Sequence, residues 1–167
     1  MMSAGCEEHT HNHFSHILVP RLAFSDPEAL YRDLSDGAQA LAGLWRALNA
    51  DAAQVPPLRV THVGELASNE TFLIEMPRLD VDSLALAVAV VFEKSPAEED
   101  CFPRRVRYFS LEQGPALEQA PPRKSPPRHY LCEWEPSRGH ANWGMLPGPD
   151  SGVFLSRIQS LLVTASE

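Results

Sequence analysis

The stretch SLALAVAVVFE, residues 83–93, is apolar at every position from Leu84 to Phe92. Nine residues are too few to span a bilayer as a helix, which needs about 20. An apolar run without polar alternation, bounded by Asp82 and Glu93, reads instead as a strand covered on both faces. Residues 83–93 are therefore expected to lie centrally in a sheet.

The neighbouring segments supply that sheet. Upstream, LRVTHVGEL (58–66) and ETFLIEMP (70–77) are two strand-like runs joined by the turn residues ASN, a hairpin pattern. Downstream, the acidic turn KSPAEED leads into RRVRYFSLE (104–112). The stretch 114–127, GPALEQAPPRKSPP, is too rich in proline and too poor in apolar periodicity to pack, and is expected to form an exposed loop. RHYLCEWE (128–135) and HANWGML (140–146) flank PSRG as a second hairpin.

Helical periodicity appears at both ends. From Asp26 to Ala50, Leu30, Leu34, Ala38, Leu41, Trp45 and Leu48 recur at steps of three and four, widened by Tyr31 and Leu44. Ser25 or Asp26 can cap this helix, Pro27 suits its first turn, and VPP at 55–57 ends it. Phe154, Ile158, Leu161 and Leu162 mark a terminal helix. The expected fold is α+β: a mostly antiparallel sheet of five to six strands, with a long N-terminal helix and a C-terminal helix packed on one face. The full element order is β-α-β-β-β-β-β-β-α, with a further strand ahead of the long helix. Residues 14–167 form one domain behind a flexible His-rich leader, 1–13.

The 167 residues suit a single domain, and 44% apolar content is that of a globular chain. A net charge of −8 opposes a general nucleic-acid or anionic-membrane binder, because the long-range field repels polyanions. Twelve of the fourteen bases are arginine and alanine and proline are plentiful, the bias expected of a GC-rich bacterial genome. Charge is uneven. Residues 103–128 carry a net +4, leaving −12 on the rest, so a basic strand and loop face an acidic remainder. Three cysteines, Cys6, Cys101 and Cys132, without CxxC spacing fit a reducing compartment, and the expected location is cytoplasmic.

Two stretches contain candidate chemistry. In CEEHTHNHFSH (6–16), an extended chain places His9, His11 and His13 on one side about 7 Å apart, with Glu7 or Cys6 able to complete a zinc or nickel shell. The spacing matches no zinc ribbon or finger, and a polar leader without metal accounts for the same residues. The hairpin LCEWEPSRGHANWGML concentrates Cys132, Glu133, Trp134, Glu135, Arg138, His140, Asn142 and Trp143. Cys132 and His140 with Asn142 are the minimum for thiol catalysis, yet Cys132 lies in a row with Tyr130 and Trp134 and reads as a small buried hydrophobe. Glu133 and Glu135 form an ordinary i, i+2 pair on a strand face.

No GxxxxGK[ST], no GxGxxG after a strand, no HExxH and no GxSxG is present. The expectation is therefore a non-enzymatic protein-binding domain: an immunity protein, an adaptor or an accessory subunit of a larger assembly. The alternative is a divalent-metal-binding protein using the leader histidines. The expected partner is another protein, with neither nucleic acid nor membrane involved. Arg104, Arg105, Arg107, Trp134, Arg138, His140, Asn142 and Trp143 are the expected docking residues, since tryptophan and arginine dominate interface hot spots.

Overall fold

The computed structural model describes residues 18–20, 22–23, 26–37, 58–75, 87–93, 105–114, 128–135 and 139–166. Six strands form one sheet: β1 (Arg59–Leu66), β2 (Asn69–Glu75), β3 (Ala87–Glu93), β4 (Arg105–Gly114), β5 (Arg128–Glu135) and β6 (Gly139–Leu146). Their spatial order is their chain order, and every neighbouring pair is antiparallel. Helices α1 (Pro27–Asp36) and α2 (Ser151–Ser166) accompany them among the described residues.

β3 behaves as its composition requires. Val88, Val90 and Phe92 point to one face, while Ala87, Ala89 and Val91 point to the other, and all six are buried. On the first face they meet Phe72 and Ile74 of β2, Leu30 and Leu34 of α1, and Leu18, Val19 and Leu22. Tyr31, Phe72 and Phe92 stack edge to face there, with centroids 5.4–6.0 Å apart. On the second face they meet Leu73, Phe109, Leu111, Leu131 and the Phe154, Ile158 and Leu162 row of α2. Burying each such side chain contributes about 1.5–3 kcal/mol, so both layers hold the sheet.

Three expectations are corrected here. The helices do not share a face: α1 covers one side of the sheet and α2 the other. The reason is β3 itself, whose two apolar faces each need a layer. The long N-terminal helix is also replaced by a shorter one. Asp26 caps α1, accepting from the Glu28 N–H, and Gly37 closes it at φ 100° with its N–H on the Leu34 carbonyl. Residues 38–57, with Leu41, Trp45 and Leu48, lie outside the described residues. Finally, the segment ahead of α1 is helical at 18–20 and 22–23, not a strand, and its Leu18, Val19 and Leu22 are wholly buried.

Local features set the register. The β1–β2 turn places Ala67 (φ 49°) and Ser68 (φ 71°) in the left-handed region, the pattern of a type I′ hairpin turn without glycine. Asn69 offsets that strain by donating from Nδ2 to the carbonyls of Ala67 (3.0 Å) and Leu66 (3.4 Å). Each outer strand carries one bulge. Val63 is the extra residue in β1 and Trp143 in β6, each followed by a glycine at positive φ, Gly64 and Gly144. The leader 1–13 and most of the proline-rich loop (115–127) lie outside the described residues. Among the described residues, no helix is long and apolar enough to cross a membrane.

Candidate functional site

Strands β4 to β6 carry a polar cluster on each face of the sheet. On the face that α1 shares, β4 runs Val106, Tyr108, Ser110, Glu112, and β5 runs Tyr130, Cys132, Trp134. Ser110 stands opposite Cys132, Tyr130 opposite Glu112, and Trp134 opposite both Tyr108 and His140. The small Cys132 side chain leaves room for Glu112, reaching from β4, to meet His140, reaching from β6, above the middle strand.

Glu112 is 3% exposed and is the hub. Its carboxylate accepts from Ser110 Oγ (2.5 Å), from Trp134 Nε1 (3.1 Å) and from His140 Nε2, which lies 3.1 and 3.2 Å from its two oxygens. Trp134 Nε1 also reaches Ser110 Oγ at 3.2 Å. The Trp134 ring meets the His140 ring edge-on at 4.8 Å and orients it. Burial works to raise the Glu112 pKa, but the bonds from His140, Ser110 and Trp134 outweigh it and hold the carboxyl below its usual range. The Glu112 bond raises His140 against the opposing effect of its own burial, so the pair is drawn toward carboxylate and imidazolium.

Cys132 lies beneath the pair, 2% exposed. Burial pushes its thiol pKa up, and the nearby Glu112 charge and hydrogen bond add to the rise. That is the reverse of what a nucleophilic cysteine needs, since the thiolate is the reactive form. Cys132, His140 and Asn142 therefore do not form a thiol-catalysis arrangement: His140 Nε2 is engaged by Glu112, and Asn142 Oδ1 accepts from the Gly144 N–H at 2.8 Å, holding the β6 bulge. Nevertheless, one donor atom each from Glu112, Cys132 and His140 lie within 4.8 Å of one another.

The opposite face carries a charged cluster. Arg107 Nε and Nη2 donate to the two Glu133 oxygens at 2.8 and 3.0 Å, a two-pronged pair, and Nη1 reaches Glu93 at 3.3 Å. The guanidinium also sits 5.1 Å from the centre of the Phe109 ring. Trp143 Nε1 donates to Glu133 at 3.0 Å. The Glu133 hydrogen bond raises the Arg107 pKa, which fixes its positive charge.

The docking residues named from sequence are thus divided. Arg107 side-chain exposure is only 11% and its donors are engaged within the fold, whereas Arg105 projects outward at 65% and touches Glu93 at 3.5 Å. Trp134 and His140 belong to the Glu112 cluster. Asn142 and Trp143 are exposed on β6, and Arg104 and Arg138 lie outside the described residues, as do His9, His11 and His13. Glu133 serves Arg107, so it does not pair with Glu135 as an acid and base. Sequence reading missed Glu112. Its only signal was its place in the inward row of Tyr108 and Ser110, where a carboxylate must find partners.

A separate shallow groove of about 350 Å³ opens between the end of α1 and strands β1 and β2, with His62 and Glu70 paired at 3.2 Å on its wall. Comparison with protein-family models, curated proteins and solved structures finds no match to this chain.

Proposed function

We propose that this chain is a non-enzymatic, cytoplasmic bacterial protein-binding domain, an immunity protein, adaptor or accessory subunit, and that β6 is its docking surface. One observation carries the reading. β6 is an outer strand, Gly139 to Trp143 are all exposed, and it displays Trp143 at 49% and Met145 at 50% exposure. Large apolar side chains gathered on one outer strand mark recognition more often than solubility.

The side chains of β6 lead the contact. Trp143 has its indole N–H fixed on Glu133 and so presents its ring edge in one orientation, with little entropy to lose on binding. Arg105, at the start of β4 two strands away from β6, supplies a charge for an acidic partner surface. The burial of Cys132 and its environment support a non-catalytic role. The alternative, a metal bound by His9, His11 and His13, concerns residues outside those described.

The test is co-purification from the native host of the untagged wild type, a Trp143→Ser/Met145→Gln variant and an Arg105→Glu variant, each checked by circular dichroism. A stoichiometric partner held by the wild type and lost by the double variant supports the reading, with a weaker loss for Arg105→Glu. A partner retained undiminished by the double variant, or no stoichiometric partner at all, overturns it.

A further inference from the structure

We propose that Cys132 Sγ, His140 Nε2 and the Glu112 carboxylate form a binding site for a divalent transition-metal ion of the zinc type. The inference does not rest on the docking reading, although His140 lies on β6, nor on the leader histidines. It rests on three facts. The donors are a thiol, an imidazole and a carboxylate, the set that zinc accepts. They come from three adjacent strands whose register is fixed by backbone pairing. They already lie within 4.8 Å of one another, so closing to the roughly 3.5 Å separation of ligands around a tetrahedral zinc needs side-chain adjustment and no change of fold.

The supporting groups are in place. Ser110 Oγ and Trp134 Nε1 both donate to one Glu112 oxygen, fixing the carboxylate, while His140 Nε2 lies 3.1 and 3.2 Å from its two oxygens. The Trp134 ring orients the imidazole. Outer contacts of this kind tune metal affinity by about 10–100-fold. Three protein donors leave a fourth tetrahedral position for water.

Charge balance selects the ion's valence. A bound divalent ion takes the sulfur as thiolate and the ring nitrogen unprotonated, their protons leaving to solvent with no electron transfer. Thiolate, neutral imidazole, carboxylate and dication sum to zero, so the buried region holds no net charge. A monovalent or trivalent ion would leave a net charge next to the core.

The experiment uses the full chain, tag-free, reduced and stripped with chelator, then titrated with Co²⁺. The wild type and a His9→Ala/His11→Ala/His13→Ala variant are expected to take up one equivalent with a thiolate-to-cobalt charge-transfer band in the near ultraviolet. Cys132→Ser is expected to lose that band and at least about tenfold in affinity. Because Cys132 is buried, folding is checked by circular dichroism, and His140→Ala, on the exposed outer strand, provides the same affinity test if Cys132→Ser fails to fold. A wild type without the band, a band that survives in Cys132→Ser, undiminished affinity in His140→Ala, or binding that disappears with the leader histidines alone overturns the proposal.

Discussion

Replacing Arg107 by methionine isolates the two-pronged pair that it makes with Glu133. The substitution keeps most of the side chain's apolar length while removing two charge-assisted bonds to Glu133, at 2.8 and 3.0 Å, and one to Glu93 at 3.3 Å. Glu93 retains Arg105, but Glu133, with a side chain only 6% exposed, is left with the Trp143 indole as its side-chain donor among the described residues. Stranding one member of a buried ion pair costs about 3–5 kcal/mol. Arg107→Met is therefore expected to lose about 3–5 kcal/mol at pH 7, measured by urea unfolding. The double variant Arg107→Met/Glu133→Leu, which buries no charge at this position, should recover most of the loss at pH 7. A single-variant cost below about 1 kcal/mol at pH 7, or a double variant no more stable than the single, refutes the reasoning.

Two further predictions concern the turn and the alkaline limit. Ala67→Asn/Ser68→Gly gives the β1–β2 turn residues that tolerate its left-handed backbone and should raise stability by about 1 kcal/mol in thermal melts; an unchanged or lower Tm counts against the turn assignment. Burial raises the pKa of Tyr108 above its ordinary 10.0, and burial with Glu112 raises Cys132 above its ordinary 9.0. Both groups stay neutral in the fold while the unfolded chain ionises, so their contribution is complete below pH 9 and falls as pH rises beyond it. Tyr108→Phe should flatten the decline above pH 10 while losing, at neutral pH, about 1 kcal/mol for its bond to the Leu22 carbonyl; an equally steep decline would contradict this account.

All six strands were legible in the sequence, with boundaries close to those observed, because alternation and turn residues are local signals. The placement of the helices was not. The stripe of Leu30 and Leu34 shows that a helix packs on a core, but no residue in it says which side of a sheet that core occupies. The two-faced apolarity of residues 87–92, which calls for cover on both sides of the sheet, contained the answer. The apolar stripe also ran past Gly37, where a positive φ ends α1. The hairpin histidine and cysteine drew attention at once, whereas Glu112 lies twenty residues before Cys132, and only the register of β4 on β5 joins them. Arg107 looked like a displayed guanidinium because its acceptors, Glu93 and Glu133, are contributed by two other strands.

The bulges at Val63 and Trp143 bear on how this protein behaves in a crowded solution. Among the described residues the six-stranded meander ends on β1 and β6, and flat outer strands would let identical molecules zip together into a lengthening ribbon. Here the extra residue and its left-handed glycine interrupt the regular spacing of backbone donors and acceptors on both sides. Along neither strand is the pairing pattern regular over its full length, and on β6 the irregularity falls at Trp143, whose indole is half-exposed.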